Sequence, residues 1–333
     1  MHHRESGSAD GFESLMSSSN VFSGAPKTHS GPTSGASLGR PSEPPFDRLT
    51  FEQRRIYEAA EQAARRIEDV RSRGDLQVQL KSDSSPVTSA DLAAHEEFAK
   101  LKWDHLISEE ALTRPAAEEC LKTQRENFWL IDPLDGTRDL IRGELSFAIV
   151  AGELRRRDDG QYSPEFGLIW HPPTDEVWIG WVQTQELWSR RNGVWSQQSR
   201  LALPAQWRVL GSRGMAIERL QALSTHLGLG ENPPVERLGS AIKFARLAMG
   251  DAEVYPRFGP TSEWDTAAGQ ALLEATGGGL WDLSTQKRLT YFKSDWENRG
   301  GFLALRSAER ASEIVAEASR IKSERDRARE EKR

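Results

Sequence analysis

The sequence of 333 residues contains a single cysteine, Cys120, and lacks other features that mark common protein classes. One cysteine excludes an internal disulfide and a cysteine-based zinc site, and it fits a reducing compartment. No apolar run is long enough to span a bilayer. Acidic residues outnumber basic ones by 50 to 44, which gives a net charge of -6. This balance argues against nucleic acid as the main partner, because binding to a phosphate backbone needs a basic face.

Several chemical motifs are also absent. The sequence has no glycine-rich loop of the Walker type, which argues against hydrolysis of nucleoside triphosphates. It has no cluster of histidine and cysteine with metal-ligand spacing, and no Ser-His-Asp order typical of nucleophilic hydrolases. The sequence does contain 11 tryptophans, many of them in apparent strands between residues 170 and 207. It also has carboxylates at the ends of predicted helices and strands.

The length predicts two lobes rather than a single core. Residues 1–46 are rich in Ser, Gly, Pro and Thr without apolar periodicity, which predicts disorder. Residues 47–204 predict an α+β lobe with an antiparallel sheet, which carries metal-binding acids. Residues 205–306 alternate strand and helix and predict an α/β lobe with substrate contacts. Residues 307–333 predict a C-terminal helix with a frayed, charged end, or alternatively one that binds a partner.

Two helix starts are readable near the beginning of the first lobe. Thr50-Phe-Glu-Gln53 has the form of a capping box, apolar residues follow at helical spacing, and Gly74 is a stop signal. A polar loop then leads to a second helix, for which we predict Ser89 as the N-cap and Asp91 in the first turn.

The most informative stretch is Trp129-Leu-Ile-Asp132-Pro-Leu-Asp135-Gly-Thr137. Three apolar residues before Asp132 predict a buried strand, and Pro133 with Gly136 predicts a tight turn. Two carboxylates three residues apart, with a hydroxyl two residues further on, suit Mg²⁺, which prefers oxygen ligands. The alternative is an Asp-rich turn that only caps a strand.

Other acids lie at element ends as well. Glu109 follows the apolar strand His105–Ser108, and Asp265 lies in the first turn of a helix predicted over 264–275. Five carboxylates in one pocket would repel one another unless two or three divalent cations neutralised them, with the Leu134 carbonyl as a further ligand. Such cations clamp a phosphate and stabilise the leaving alkoxide. Thr137, oriented by Asp91, would then position or deprotonate the attacking water.

The acidic motifs together resemble a known family. They are Lys81-x-Asp83 with Pro86-Val-Thr88-x-x-Asp91, Ser108-Glu109-Glu110, the stretch Trp129–Thr137, and Glu263-Trp264-Asp265-Thr-Ala-Ala-Gly-Gln270. Over residues 50–305 they follow the order found in the magnesium-dependent, lithium-sensitive phosphatases of the inositol monophosphatase superfamily. The resemblance implies the layered αβαβα sandwich that this superfamily shares with fructose-bisphosphatases, a fold of the α+β and α/β classes.

One branch of that superfamily resembles the chain further, through Gly239-Ser240-Ala-Ile-Lys243-Phe244 and the stretch 251–261. This is the CysQ type of 3′(2′),5′-bisphosphate nucleotidase. The resemblance implies removal of the 3′-phosphate from adenosine 3′,5′-bisphosphate, and for some members action on 3′-phosphoadenylyl sulfate, in sulfur assimilation. The implied metal ligands are Glu109, Asp132, the Leu134 carbonyl, Asp135 and Asp265. The implied catalytic residues are Asp91, Thr137 and Glu109. The implied substrate contacts are Asp135, Gly136, Thr137, Gly239, Ser240, Lys243 and Asp265.

Several features of the sequence are compatible with more than one interpretation. The loop after Thr137 is about two residues shorter than the family usually has, which bears on substrate choice. Arg138 and Arg142 either contact phosphate or are solvated, and Arg257 either contacts substrate or pins its loop. The alternative functions are an inositol monophosphatase or sugar bisphosphatase, and a non-catalytic scaffold. The expected partner is a phosphorylated nucleotide, with a homodimer also compatible. The expected location is cytoplasmic, or peripheral at the inner face of the membrane.

Overall fold

The structure is a computed structural model that describes residues 45–82, 84–111, 122, 125–215, 217–229 and 233–331. Residues 1–44 of the segment predicted to be disordered lie outside the described residues, as do Asp83 and Cys120. The last two residues of that segment, Pro45 and Phe46, belong to a 3-10 turn, and Phe46 packs against the core. No helix of the described part is long and apolar enough to cross a membrane.

The described residues form seven helices and fourteen strands. The helices are α1 (Phe51–Arg73), α2 (Ser89–Ala99), α3 (Thr137–Ile141), α4 (Ile217–His226), α5 (Ile242–Ala248), α6 (Trp264–Ala275) and α7 (Ala311–Glu330). The first strands are β1 (Val78–Leu80), β2 (Pro86–Thr88), β3 (Leu106–Ser108), β4 (Asn127–Asp135), β5 (Ala148–Arg156), β6 (Tyr162–His171) and β7 (Glu176–Trp181). The others are β8 (Glu186–Arg191), β9 (Val194–Gln198), β10 (Val209–Ser212), β11 (Val235–Leu238), β12 (Val254–Arg257), β13 (Gly279–Asp282) and β14 (Phe302–Leu305).

The strands form three sheets. A seven-stranded sheet has the order β3-β4-β5-β6-β7-β8-β9, with β3 parallel to β4 and all other pairs antiparallel. A five-stranded sheet has the order β11-β10-β12-β14-β13, in which β10 pairs in parallel with both β11 and β12. Strands β1 and β2 form a separate antiparallel hairpin.

Three hydrophobic cores separate these layers. Helices α1 and α2 cover one face of the seven-stranded sheet, where Ile56 and Phe98 pack with Trp129. Helices α5 and α6 lie between the two sheets, and their core joins residues of both. Helices α4 and α7 cover the outer face of the five-stranded sheet, with Leu220 and Ile314 buried. The layers therefore run αβαβα, which confirms the fold class predicted from the sequence.

Helix α6 lies unusually close to the seven-stranded sheet because three glycines make room for it. Gly152, Gly167 and Gly180 are direct neighbours across β5, β6 and β7. A Cβ on Gly152 would lie 2.6 Å from the Cβ of Ala267, and one on Gly180 would lie 2.9 Å from Leu272 Cδ2. Any side chain at these positions would push the helix outward. The stripe thereby fixes the distance between α6 and strands β5–β7, which lie next to the strand β4 that carries Asp132 and Asp135.

Local predictions held to different degrees. Helix α1 has the predicted capping box at Thr50 and the left-handed C-cap at Gly74. The prediction of Ser89 as the N-cap of α2 was wrong: Thr88 is the N-cap, because its side chain accepts from the amides of Ala90 and Asp91 while Asp91 bonds back to Thr88. The antiparallel sheet expected within residues 47–204 corresponds to strands β4–β9.

Candidate active site

The acids predicted as ligands meet at one edge of the seven-stranded sheet. Strands β3 and β4 are parallel, with Ser108 opposite Ile131, so their carboxyl ends lie side by side. Glu109 follows β3 directly, and Asp132 follows Ile131 in β4. Two short apolar strands thus deliver their acids to the same place, because parallel strands end at the same edge of a sheet.

A β-bulge brings the second acid of β4 to the same face as the first. Side chains alternate along a strand, so residues three apart normally point to opposite faces. Asp132 pairs with Val150 and Asp135 pairs with Ala148, which leaves one extra residue on β4. Such an insertion re-aims the residues that follow it, and proline is tolerated there because no amide hydrogen is needed. Both carboxylates therefore lie on the side of the sheet covered by α6.

Helix α6 brings the acid from the opposite wall. Asp265 lies in its first turn, and the Asp265 carboxylate accepts a hydrogen bond of 3.0 Å from the amide of Ser262. Carboxylate oxygens of Glu109, Asp132 and Asp265 all lie within 4.8 Å of one another. Three residues that are more than 20 positions apart in the sequence thus form one cluster.

This cluster lies in a cavity of about 280 Å³. Its wall contains all five predicted metal ligands: Glu109, Asp132, Leu134, Asp135 and Asp265. Four of the predicted substrate contacts line it: Gly136, Thr137 and the two ligands Asp135 and Asp265. Arg138 and the motif residue Pro86 line it too, and the remaining wall residues, which the sequence interpretation missed, are Ser85, Asp139 and Ser262. They carry no signal that separates them from ordinary loop residues, and only the tertiary fold places them here.

Burial and mutual repulsion raise the pKa values of three carboxylates in the cavity. Asp132 is 3% exposed, and burial, with the charges of Glu109, Asp135 and Asp265, raises its pKa well above the usual value. Burial, with the charges of Asp135 and Glu109, also raises the pKa of Asp265 well above its usual value. Burial raises the pKa of Asp135 to about 6, although Lys243 and the amide of Ala241 oppose this. Negative charge in this cavity is therefore incompletely compensated by the protein itself.

Part of that charge is balanced by Lys81, the first residue of the motif Lys81-x-Asp83. Its ammonium lies 2.7 Å from Glu109 Oε1 and 2.8 Å from Glu110 Oε1. Burial lowers the pKa of Lys81, but the two carboxylates outweigh burial and raise it overall. Lys81 thus stays charged and holds Glu109 at the edge of the cluster.

Asp91 and Thr137 form a hydrogen-bonded pair beside the cavity. The Thr137 hydroxyl donates to Asp91 Oδ1 over 2.7 Å. The other oxygen of Asp91 accepts from the amide and hydroxyl of Thr88, so the carboxylate is held at both ends. Asp91 is 1% exposed, and burial raises its pKa. The pair can accept a proton at the Thr137 hydroxyl and pass one to Asp91.

The turn between the acids and Thr137 depends on glycine. Gly136 has a φ of 107°, and a Cβ there would lie 2.7 Å from the carbonyl oxygen of Ser146. Helix α3 starts at Thr137. The backbone amides at the start of a helix have no acceptor within that helix. Gly136 and Thr137 can therefore present backbone donors to an anion in the cavity.

The other predicted substrate contacts lie further away. Gly239, Ser240 and Lys243 are outside the residues that line the cavity. The Lys243 ammonium donates to the carbonyls of Leu238 and Ser240, at 3.2 and 2.6 Å, and so ties its own loop. That loop touches the cluster through the amide of Ala241, which donates to Asp135.

The arginines left open by the sequence differ in their surroundings. Arg138 is exposed and lines the cavity. Arg142 lies 3.4 Å from Asp139. Arg257 donates to Ser212 Oγ and to the carbonyl of Pro260, at 2.9 and 3.2 Å, while its Nε atom is buried without a hydrogen-bond partner among the described residues. Arg257 therefore does pin its loop.

The donor set of the cluster fits a hard divalent cation. Its side-chain donors are carboxylate oxygens, with a backbone carbonyl at Leu134 in the same wall. Oxygen donors with excess negative charge are what Mg²⁺ prefers in proteins. The raised pKa values of Asp132 and Asp265 also favour a cation at this site. A bound cation would stabilise the charged forms of both carboxylates.

Comparison with known proteins assigns the family. The sequence model of the inositol monophosphatase family matches residues 52–323. The chain belongs to the inositol monophosphatase family. It is therefore a phosphatase, which confirms the enzyme class predicted from the sequence.

The chain is similar in sequence to curated CysQ proteins and similar in fold to solved structures of this family. The 3′(2′),5′-bisphosphate nucleotidase CysQ of Salmonella typhimurium is 35% identical over 208 residues, which cover 61% of this chain and 78% of the relative. CysQ of Aggregatibacter actinomycetemcomitans is 30% identical over 254 residues, or 72% and 87% of the two chains. The crystal structure of CysQ from Bacteroides thetaiotaomicron superposes with a TM-score of 0.63 at 25% identity, covering 77% of this chain and 98% of that one. An IMPase from Thermotoga maritima has the same fold, with a TM-score of 0.60 at 17% identity, over 83% of this chain and 99% of the other.

Proposed function

We propose that this phosphatase depends on Mg²⁺ and removes the 3′-phosphate from adenosine 3′,5′-bisphosphate, with 3′-phosphoadenylyl sulfate as a second candidate substrate. The observation that carries the proposal is the cluster of Glu109, Asp132 and Asp265, whose oxygens lie within 4.8 Å of one another. The nucleotide specificity is supported by the CysQ relatives, which carry the name of 3′(2′),5′-bisphosphate nucleotidases.

The cation ligands would be Glu109, Asp132, Asp135 and Asp265 with the Leu134 carbonyl. When bound, two or three Mg²⁺ ions neutralise the carboxylates, hold the phosphate oxygens and stabilise the charge on the leaving alkoxide. The carboxylates are preorganised for cation binding, because the bulge in β4 and the first turn of α6 hold them in place. The Lys81 ammonium, 2.7 Å from Glu109 Oε1, would hold that carboxylate at the edge of the cluster.

Asp91 and Thr137 would act on the attacking water. The hydroxyl of Thr137 can accept a hydrogen bond from a water in the cavity while it donates to Asp91. As the water attacks the phosphorus, its proton passes to the hydroxyl and the hydroxyl proton passes to Asp91. The backbone amides of Gly136 and Thr137 would hold the phosphate in line.

The rest of the nucleotide would lie beyond the acids. Arg138, exposed at the cavity wall, would contact an anionic group of the substrate. The loop of Gly239 and Ser240, held by Lys243, would border the nucleoside. The predicted homodimer and the predicted cytoplasmic or membrane-peripheral location stay predictions.

A substrate panel tests this proposal. Phosphate release is measured with adenosine 3′,5′-bisphosphate, inositol 1-phosphate and fructose 1,6-bisphosphate while Mg²⁺ is titrated. We expect kcat/KM to favour the nucleotide by about tenfold or more, because a site built for one substrate's polar groups rejects those that lack them. A preference of that size for inositol 1-phosphate or the sugar bisphosphate would replace the proposal by the corresponding alternative.

A further inference from the structure

Glu263 is a buried carboxylate that the proposed reaction does not use. It lies two residues before Asp265 and is 0% exposed. Its oxygens accept hydrogen bonds from the amides of Phe292 and Lys293, at 2.7 and 3.0 Å, and from the Lys293 ammonium at 3.1 Å. Burial of a charge is costly unless partners of this kind surround it. The chain around Lys293 is therefore folded about this carboxylate.

Asn298 extends the same network toward the start of α6. It is 0% exposed, and its Oδ1 accepts from the Lys293 ammonium at 3.0 Å. Its Nδ2 donates to the hydroxyls of Thr261 and Thr266 and to the carbonyl of Ser262, at 3.1 to 3.2 Å. Glu263, Lys293 and Asn298 thus form one continuous polar chain on both sides of the loop 261–263.

Backbone pairing holds the same loop. The amide of Glu263 donates to the carbonyl of Trp296 over 2.9 Å, and the amide of Asn298 donates to the carbonyl of Thr261 over 2.7 Å. Ser262 and Glu297 form an antiparallel bridge. The loop before α6 is therefore fastened to residues 296–298 along its whole length.

The segment 290–298 is in turn anchored in the core. The Phe292 ring lies 5.0 Å from that of Phe128 and 4.6 Å from that of Tyr162, measured between centroids, and both belong to the core under the seven-stranded sheet. Phe292 and Trp296 have φ angles of 67° and 60°. Bulky residues adopt this left-handed conformation only where the surroundings enforce it, and such residues cluster at functional sites.

We propose that Glu263 is a positioning residue of the metal site: with Lys293 and Asn298, it holds the loop 261–263 so that Asp265 faces Glu109 and Asp132. The link to Asp265 is the amide of Ser262, which donates to the Asp265 carboxylate. Groups that orient a ligand are worth about 10-fold to 100-fold in metal affinity. The inference rests on the proposed function, because it assumes that Asp265 binds a cation.

The test compares two buried glutamates. Glu253 is also 0% exposed; it accepts from the Arg208 amide at 2.6 Å, and its Oε1 lies 3.0 and 3.4 Å from Arg208 and Arg306. It lies in the five-stranded sheet region, outside the cavity wall. Glu263→Gln and Glu253→Gln therefore remove the same kind of buried charge, one beside the site and one away from it.

The measurement is Mg²⁺ binding by titration calorimetry on protein stripped with EDTA, together with the unfolding temperature. We expect Glu263→Gln to raise the Kd for Mg²⁺ by about 10-fold to 100-fold. Glu253→Gln should lower the unfolding temperature about as much as Glu263→Gln does. Its Kd for Mg²⁺ should stay within about twofold of the wild-type value, because substitutions at distant sites act independently. If Glu263→Gln does not fold, the double variant Glu263→Gln/Lys293→Met, which removes both charges of the pair, is measured instead.

Two results would overturn the positioning role. One is a folded Glu263 variant that binds Mg²⁺ as tightly as the wild type. The other is a Glu253→Gln protein that loses as much affinity as the Glu263 variant. A wild-type protein that binds no Mg²⁺ would instead refute the proposed function, and the positioning role with it.

Discussion

The replacement Asp135→Asn should stabilise the metal-free protein while it removes a ligand of the proposed metal site. Burial raises the pKa of the Asp135 carboxyl to about 6 from an ordinary value of 3.8. Holding this group ionised at pH 7.5 therefore costs the folded state about 3 kcal/mol. Asparagine carries no charge, and its oxygen can still accept from the Ala241 amide. We expect an unfolding temperature higher by roughly 5 °C in EDTA.

The pH dependence of this effect has a definite sign. Between the unfolded and folded pKa values the folded state binds more protons, so the stability of the metal-free wild type falls as pH rises through about 4 to 6. The advantage of Asp135→Asn should accordingly shrink to about half by pH 5. Mg²⁺ should reverse the order at pH 7.5, because it stabilises the wild type by binding to its folded state.

The assay is thermal unfolding of both proteins in EDTA at pH 5.0 and 7.5, and in Mg²⁺ at pH 7.5. Asp158→Asn, in an exposed turn, is the matched control for the loss of one negative charge and should change the unfolding temperature little. An Asp135→Asn protein that is less stable than the wild type in EDTA would refute the reasoning. So would an advantage that does not change with pH.

Two further substitutions test separate parts of the site. Thr137→Val removes the hydroxyl that donates to Asp91, so kcat should fall by about 10²-fold to 10⁴-fold with little change in KM, while Thr137→Ser keeps most activity; equal losses in both variants would exclude the hydroxyl's role. Gly136→Ala places a Cβ 2.7 Å from the Ser146 carbonyl at a positive φ, and it should destabilise the protein by about 1–3 kcal/mol in thermal unfolding. A Gly136→Ala protein as stable as the wild type would show that the turn does not require glycine at this position.

The parts of the fold that the sequence predicts best are those set by neighbouring residues. The capping box at Thr50 and the start of α6 at Trp264 depend on local chemistry, and both appear where predicted. The N-cap at Thr88 was misassigned to Ser89, because either hydroxyl can cap and only the partner Asp91 decides between them. Local signals thus fix elements more reliably than their end residues.

What the sequence did not show is the set of long-range contacts. The extra residue in β4 is visible only once β4 pairs with β5, and the glycine stripe only once three strands align. The ammonium of Lys243 reads as a free cation in sequence, yet backbone carbonyls of its own loop bind it. Motifs name the candidate site residues, but the direction in which these side chains point, their spacing and their supporting contacts come from packing between distant segments.

We propose that carboxylates on β4 and α6 hold cations for phosphate hydrolysis. The most direct measurement is the rate of phosphate release from adenosine 3′,5′-bisphosphate in saturating Mg²⁺ for the wild type, Asp132→Asn and Asp158→Asn. We predict Mg²⁺-dependent release in the wild type and in Asp158→Asn, and a loss of at least about 100-fold in a folded Asp132→Asn protein. Release by Asp132→Asn within about twofold of the wild type would contradict the claim.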